Sequence, residues 1–243
     1  MKSLIVFKVG ETFDGISEKI GDFEEWIISG IGPLPLPIHV VDPRNMVELP
    51  SIATVAAAIV TGSHSMVTDR ASWSESLAAW LRSAISEDIP VLGICYGHQL
   101  LAQALGGEVG DHPDGIELGT IHIKLTNDAK NDALFESLPE EFAAQAVHRQ
   151  SVRRLPERAV LLASNAFEPH HAFRVGQSAW GVQFHPEFSP AAMSGYINEL
   201  ANQSVDGESC AEASSSKVLP TLEAATILPK FAKVVCQRME IGK

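Results

Sequence analysis

The chain has 243 residues, of which 45% are hydrophobic and 20% charged, which is the balance of a globular protein large enough for one sizeable domain. Its formal net charge is −12, and no run of Lys and Arg interleaved with aromatic residues occurs, so nucleic-acid binding is disfavoured. The cysteines, Cys95, Cys210 and Cys236, are too widely spaced to predict a disulfide framework or a zinc cage. Without a long apolar stretch or a signal-peptide pattern, we expect a cytoplasmic protein that does not bind membranes.

The first part of the chain, residues 1–107, alternates strand and helix patterns. Strands are predicted over 4–9, 38–41, 56–60 and 91–94, and helices over 16–29 and 73–85. This alternation predicts an α/β fold with a doubly wound, mostly parallel central sheet flanked by helices. Ligands bind outside the carboxyl ends of such strands, where both the loop at 61–65 and Cys95 are expected to lie.

The second half of the chain changes character and predicts a smaller mixed or antiparallel sheet. Its short strands are expected over 120–125, 142–147, 159–164, 172–175 and 182–184, followed by a helix over 190–200. A polar, Ser-rich insertion at 202–217 is expected to be flexible. A C-terminal helix is expected over 219–240, with Pro229 as a boundary or kink. We expect the whole chain, 1–243, to form a single domain.

Cys95 stands at the switch from a predicted strand to a predicted helix, within Gly93-Ile-Cys-Tyr-Gly97. Glycines on both sides permit the sharp turn that lifts a nucleophile out of a packed strand. The positive end of the following helix favours a thiolate. By itself, this pattern leaves open a small, buried and inert cysteine, which is the commoner case.

His185 is the candidate base for this thiol, and Glu187 is the candidate group that orients the base. Residues two apart share one face of an extended segment, and Pro186 stiffens the segment between them. Alone, the pattern would also fit a loop His-Pro beside a solvated carboxylate. In combination with the cysteine segment, the two motifs are too detailed to be a coincidence.

Three segments carry a resemblance to the class I, triad-type glutamine amidotransferases. They are Gly-Ile-Cys-Tyr-Gly-His-Gln at 93–99, Thr-Gly-Ser-His-Ser at 61–65 and Trp-Gly-Val-Gln-Phe-His-Pro-Glu at 180–187. Within that family the chain is most similar to the glutaminase domain of GMP synthetase and its stand-alone relatives. The resemblance implies a flavodoxin-like fold and hydrolysis of the γ-amide of glutamine, without a metal or an organic cofactor. It makes Cys95 the nucleophile, His185 the general base and acid, and Glu187 the orienting carboxylate.

The resemblance also implies the residues that surround the substrate. The backbone N–H of Tyr96 and the Gly62-Ser63 loop are expected to hold the oxyanion. Gln99 matches the family position that contacts the substrate glutamine. His148 and Gln150 occupy the place of a His-Gly-Asp segment that helps hold the α-amino and α-carboxylate groups of the substrate.

The sequence departs from the family pattern in two places. Ser63-His64 stands where Gly-Pro is usual, which affects the shape of the loop more than its backbone donor. In the second place His148 matches, but Arg149 and Gln150 do not. A neutral Gln150 removes a charge partner for an ammonium group, and Arg149 could instead pair with a carboxylate. A tolerated loop variant is the alternative explanation.

Three functions follow from these residues as hypotheses. The first is a glutaminase that passes ammonia to a separate synthetase, because no phosphate-binding glycine loop of a synthetase domain follows residue 188. The second is a γ-glutamyl peptidase that acts on γ-glutamyl peptides or conjugates. The third is a non-catalytic regulatory subunit, which the intact set of three candidate catalytic residues disfavours.

Overall fold

The computed structural model describes residues 2–45, 48–203 and 217–241. The strands are β1 Ser3–Phe7, β2 Ile38–Val41, β3 Val55–Val60, β4 Val91–Ile94, β5 Glu108–Asp111, β6 Glu117–Leu125, β7 Glu141–His148, β8 Gln150–Arg154, β9 Ala159–Ser164, β10 Ala172–Val175 and β11 Ala179–Val182. The helices are α1 Asp14–Ile20, α2 Phe23–Ile31, α3 Ser72–Ser86, α4 Tyr96–Ala104, α5 Pro190–Gln203, α6 Leu222–Ala225 and α7 Ile227–Ile241. Of the insertion predicted over 202–217, residues 204–216, including Cys210, lie outside the described residues.

A nine-stranded sheet with the order β2-β1-β3-β4-β11-β10-β9-β6-β7 forms the centre of the fold. Neighbouring strands from β2 to β11 run parallel, whereas those from β11 to β7 run antiparallel. The antiparallel strands of the second half thus extend the main sheet, and a small separate sheet is formed by β5 and β8. The predicted α/β class, with its mixed second half, is confirmed.

The central strands are buried on both faces, as expected where helices cover a parallel sheet. Within β4, Val91 packs into the cluster that includes α3 and α4, and Leu92 packs into the opposite cluster with α2 and α7. All six residues of β3 are buried. Two hydrophobic layers therefore hold the carboxyl ends of β3 and β4 in fixed positions. No helix in the described ranges is both long and apolar enough to cross a membrane.

The single helix predicted over 16–29 is instead divided into α1 and α2. Gly21 takes a left-handed φ of 84°, which ends α1, and Asp22 then caps α2. The side chain of Asp22 accepts a hydrogen bond from the N–H of Phe23, and Glu25 accepts one from the N–H of Asp22. The capping box starts a new helix at this point, although the apolar residues continue with helical spacing across the break.

Two other boundaries differ from the prediction. The strand expected over 182–184 lies at Ala179–Val182, and the chain then leaves its pairing with β4, so that the N–H of His185 donates instead to the carbonyl oxygen of Gln145 in β7. The helix expected over 219–240 is interrupted at Thr226, while Pro229 lies inside the first turn of α7, where its missing N–H is harmless. Strands β5 and β8 have weak local patterns and were not expected.

Candidate active site

Cys95 lies on a strained turn between β4 and α4. Its backbone has φ 50° and ψ −101°, which is unusual for a residue with a side chain. A Cβ atom added to Gly93 would lie only 2.3 Å from the carbonyl oxygen of Gly97. A Cβ atom added to Gly97 would lie only 2.5 Å from the carbonyl oxygen of Val60. Both glycines are therefore required for the close packing that fixes the turn, and they leave the cysteine at the start of the helix.

His185 is held by a buried carboxylate. Its Nδ1 atom lies 2.7 Å from Oε1 of Glu187, and both side chains are almost completely buried. The imidazole packs on the ring of Phe188, with 4.1 Å between centroids, and on Gly62, where a Cβ would lie 3.0 Å from its Cε1. Because the carboxylate accepts from Nδ1–H, it leaves Nε2 as the atom that can exchange a proton.

The thiol of Cys95 and the ring of His185 interact electrostatically. Burial alone lowers the pKa of His185, but the charges of Glu187 and Cys95 outweigh burial and raise that pKa above its usual value. The Sγ atom of Cys95 lies 3.7 Å from the carbonyl oxygen of Val147, to which the thiol donates. In the described part of the chain, no other group forms a hydrogen bond with Nε2 of His185 that would compete with its interaction with Cys95.

The loop after β3 lies beside this pair. Gly10 leaves room for it, since a Cβ there would lie 2.5 Å from Cα of Ser63. Within the described ranges, the backbone N–H groups of Gly62, Ser63 and Tyr96 donate to no other group. The phenol of Tyr96 is bound to Ser74 at 2.7 Å, which fixes the first turn of α4. These amides are therefore available to a ligand.

His64, which replaces the usual proline, joins an aromatic cluster at the cleft. Its Nε2 lies 3.0 Å from the hydroxyl of Tyr196, and its ring lies 4.6 Å from that of Phe13. Burial and the positive charge of His185 lower the pKa of His64, which favours its neutral form. The substitution thus anchors the loop to α5 through a side chain in place of the rigidity of proline.

Gln99 reaches the segment at 148–150 rather than pointing freely into the cleft. Its Nε2 donates to the carbonyl oxygen of Gln150 at 2.7 Å and to Oε1 of Gln183 at 3.0 Å. Its Oε1 accepts no hydrogen bond from the residues that the structure describes, and Gln99 lines the cleft next to Cys95. The side-chain oxygen of Gln99 is therefore the part that can meet a ligand.

The side chain of Gln150 is committed to its protein neighbours. Its Nε2 donates to Oγ1 of Thr68 at 2.7 Å and to Oδ1 of Asp111 at 3.1 Å. Asp111 is exposed and does not line the cleft. Gln150 thus ties the end of β5 to the loop after β3, and it contributes structure to the wall of the cleft.

His148 is part of a buried charged cluster. The β6–β7 register places Glu117 opposite His148, and Oε2 of Glu117 lies 2.9 Å from Nε2 of His148 and 3.1 Å from Nε2 of His171. Nδ1 of His148 lies 3.0 Å from the carbonyl oxygen of Gln150. The ring of His148 is thus held between two oxygens, one on each side.

The same three residues, Glu117, His148 and His171, are of the types that bind metal ions, and their ligand atoms lie within 4.8 Å of one another. Their N–O distances of 2.9 and 3.1 Å are those of hydrogen bonds and ion pairs. Asn165 donates to the second oxygen of Glu117 at 2.7 Å. The cluster is therefore best described as a buried ion pair that supports the end of β7.

Cys95 opens into a cleft of about 250 Å³ between the sheet end and α5. Its lining comprises Phe13, Ser63, His64, Ser65, Met66, Cys95, Tyr96, Gln99, Ile116, Val147, His148, Arg149, Gln150, Tyr196, Leu200 and Gln203. Arg149 is the single residue between β7 and β8, and its exposed side chain makes no ion pair or hydrogen bond with the described residues. The cleft thus brings together the sequence-predicted residues except Gly62, His185 and Glu187, which are not part of its lining.

Several residues of the site were missed by sequence reasoning. Gln183 lies two residues before His185 in the same motif, so its involvement could have been expected. Glu117 and His171 have no local signal, since only the pairing of strands brings them to His148. Val147 acts through its backbone oxygen, which no sequence pattern encodes.

A cysteine on a strained strand-to-helix turn, beside a histidine held by a carboxylate, is the arrangement of α/β enzymes with a nucleophile elbow. The family model described as "Glutamine amidotransferase class-I" matches residues 20–201, and the chain belongs to this family.

Named relatives match about half of the chain. The glutamine-hydrolyzing GMP synthase subunit from Methanocaldococcus jannaschii is 38% identical over 119 residues, which cover 48% of this chain and 59% of the relative. The protein of the same name from Methanococcus aeolicus is 39% identical over 116 residues, which cover 47% and 60%. The matched region thus spans less than two thirds of these relatives.

Solved structures extend the similarity of fold to the whole chain. A glutamine amidotransferase from Thermotoga maritima has a TM-score of 0.71 at 18% identity, covering 98% of both chains. A glutamine amidotransferase from Methylobacillus flagellatus has a TM-score of 0.69 at 22% identity, covering 100% of this chain and 95% of the other. At these identities the similarity concerns the fold.

Proposed function

We propose that this protein hydrolyses the γ-amide of glutamine, or a γ-glutamyl amide bond, through a thioester on Cys95. The observation that carries the proposal is the placement of Cys95 on a strained turn next to His185, whose other nitrogen lies 2.7 Å from Glu187. Membership of the family and the free backbone amides of the loop at 62–63 support it.

In the proposed reaction, His185 takes the thiol proton through Nε2, and the sulfur attacks the amide carbon. The backbone N–H groups of Tyr96 and Ser63 stabilise the oxyanion as the C–S bond forms. His185 then returns the proton to the leaving nitrogen while the C–N bond breaks. Water, deprotonated by the same ring, attacks the thioester, and Cys95 is released as the thiol with a free γ-carboxylate as the product.

Glu187 acts on the reaction through His185. Its carboxylate fixes the Nδ1–H tautomer and stabilises the imidazolium that forms when the thiol loses its proton. The pKa of His185, raised by the Glu187 and Cys95 charges against the effect of burial, favours the protonated ring that forms when the thiol loses its proton. The packing of Phe188 against the ring limits its movement between the two proton transfers.

The fate proposed for the ammonia rests on the names of the relatives, and the geometry of the site does not bear on it. These relatives are named as one subunit of a glutamine-hydrolyzing synthase, which implies at least one other subunit in that synthase. We therefore propose that the ammonia is passed to a separate synthetase. A γ-glutamyl peptidase is the second candidate, favoured by the unpaired Arg149 and by Gln150, whose side chain is committed elsewhere.

The test is labelling with an electrophilic glutamine analogue, followed by mass spectrometry of the peptides and an ammonia assay. We expect one adduct on Cys95, and loss of both the adduct and turnover in Cys95→Ser. The matched control is Cys236→Ser, since Cys236 is a half-buried free thiol on α7, far along the chain from the cleft lining. Full turnover in Cys95→Ser would exclude the proposal. Absence of both turnover and adduct in the wild type would favour a regulatory subunit.

A comparison of substrates separates the two catalytic candidates. Turnover of glutamine, unaided or only after addition of a synthetase partner, supports an ammonia donor. Much faster release of the amine from γ-glutamyl dipeptides supports the peptidase instead.

A further inference from the structure

We propose that Arg149 binds a carboxylate of the substrate, and that the site does not require the α-ammonium group that glutamine carries. The substrate class is then the ω-amides of dicarboxylic acids with a free carboxylate, whether their α-amino group is free, acylated or absent. This inference rests on the proposed function, because it specifies what the thiol of Cys95 is offered.

The first observation is the position of an unpaired guanidinium at the cleft. Arg149 connects β7 directly to β8, so its backbone is fixed on both sides by strands, and its carbonyl oxygen accepts from the N–H of His112 at 2.9 Å. Its side chain lines the same cleft as Cys95 and has no ion pair with any described residue. What distinguishes Arg149 from other exposed arginines of this acidic chain is its place in the same cleft as Cys95.

The second observation is the charge of the cleft. None of the described residues that line it is an aspartate or a glutamate. Carboxylates close to its wall are engaged with protein groups: Asp111 accepts from Gln150, and Glu117 contacts His148 and His171. A carboxylate in the cleft therefore meets the guanidinium of Arg149 and no like charge among these residues.

The third observation concerns the groups that could hold an ammonium. Gln150 is neutral, and its amide nitrogen is committed to Thr68 and Asp111. Acceptors at the cleft such as Oε1 of Gln99 and the carbonyl of Val147 are neutral oxygens, and no residue of the lining carries a carboxylate. A hydrogen bond to a neutral oxygen contributes less than a bond between two ions, so removal of the ammonium is expected to have a small effect.

The experiment compares ammonia release from three compounds by the full chain. L-glutamine has both α-groups, 5-amino-5-oxopentanoic acid lacks the amino group, and the α-amide of glutamine lacks the carboxylate. For the wild type we expect kcat/KM for the second compound to lie within about tenfold of that for glutamine, and a loss of about a hundredfold for the third, since charge-assisted bonds are roughly twice as strong as neutral ones.

Variants assign the effect to Arg149. In Arg149→Gln we expect kcat/KM for glutamine to fall by about ten- to a hundredfold, mainly through KM, and the preference for the carboxylate to disappear. Arg149→Lys should keep part of the preference for the carboxylate. The matched control is Arg153→Gln, which removes the same charge from an exposed arginine of β8 outside the cleft lining and should leave all three values unchanged.

The outcomes separate this inference from the proposed function. Two results would overturn the inference alone. One is turnover that is insensitive to Arg149→Gln. The other is a loss of kcat/KM of more than about a hundredfold when the amino group of the substrate is removed, because such a loss would indicate a charged partner for the ammonium. No ammonia from any of the three compounds overturns the proposed function and the inference with it. Thermal melting of each variant checks that a loss of activity does not come from unfolding.

Discussion

Replacement of Glu187 by glutamine tests the role of the buried carboxylate behind His185. The variant keeps the shape of the side chain and removes its charge, so packing is unchanged. In the wild type the carboxylate oxygen lies 2.7 Å from Nδ1, and the side chain of Glu187 is fully buried. A glutamine amide can either accept from Nδ1 or donate to it, so the Nδ1–H tautomer is no longer fixed.

The expected loss follows from this contact. A hydrogen bond to a charged group contributes about 1.5–3 kcal/mol, which corresponds to a fall in kcat of about ten- to a hundredfold. The pH dependence should change as well. Burial lowers the pKa of His185, and the charges of Glu187 and Cys95 reverse that effect and raise the pKa above the value of 6.5 for a free histidine. In Glu187→Gln the pKa should fall.

The effect of Glu187→Gln on the free energy of unfolding should depend on pH in a definite direction. A pKa that is raised in the folded protein contributes stability that is fully present below the unfolded value and is lost as pH rises through the folded value. We therefore expect Glu187→Gln to be less stable than the wild type at mildly acidic pH, with the difference shrinking at alkaline pH.

Ammonia release across a pH series and urea unfolding at the two pH values provide the measurements. Glu223→Gln makes the same chemical change at an exposed position of α6 and should match the wild type. Unchanged kcat in Glu187→Gln, together with an unshifted pH profile, would refute the role given to this carboxylate.

Two further substitutions test the surroundings of the site. Gly62→Ala places a methyl group 3.0 Å from Cε1 of His185, so we expect a fall in kcat of about tenfold with little change in melting temperature; equal losses of both would point to a folding defect instead. Glu117→Gln leaves His148 and His171 without their carboxylate, and we expect unfolding in urea to become easier by about 3 kcal/mol. Burial raises the pKa of Glu117, but its histidine partners lower it further, so the wild-type advantage should be present near neutral pH and disappear as pH falls below the usual range of a glutamate. An advantage independent of pH would contradict the ion pair.

The turn at Cys95 could be predicted because all of its determinants are local. A short apolar run, two glycines and an amphipathic segment stand in succession, and each has its own physical meaning. The end of β11 was harder to predict from the sequence, because Val182 and Phe184 are both apolar although the strand ends at Val182. The catalytic roles of these residues remain predictions.

The break between α1 and α2 shows a different limit. The apolar residues continue with helical spacing across it, and this pattern outweighed the glycine in the sequence-based prediction. The Asp22-to-Glu25 spacing of the capping box was present and could have located the boundary.

The surroundings of His148 could not be predicted from the sequence. Its partner Glu117 faces it only because of the register of β6 and β7, and His171 arrives from another part of the chain. For the same reason, the free side chain of Arg149 became apparent only when its neighbours were known.

The pairing of β4 with β11 has a consequence for how the substrate preference of such a protein can evolve. Ile94 and Val182 are partners in adjacent parallel strands, and Cys95 and His185 follow them closely in sequence. The pairing of these strands thus helps to set their separation, whereas Arg149 lies at the junction of β7 and β8, which belong to different sheets. The junction meets the reactive turn through the backbone oxygens of Val147 and Gln150, and the side chain of Arg149 takes no part in those contacts. Substitutions of the Arg149 side chain can therefore explore new amides while these backbone contacts stay intact.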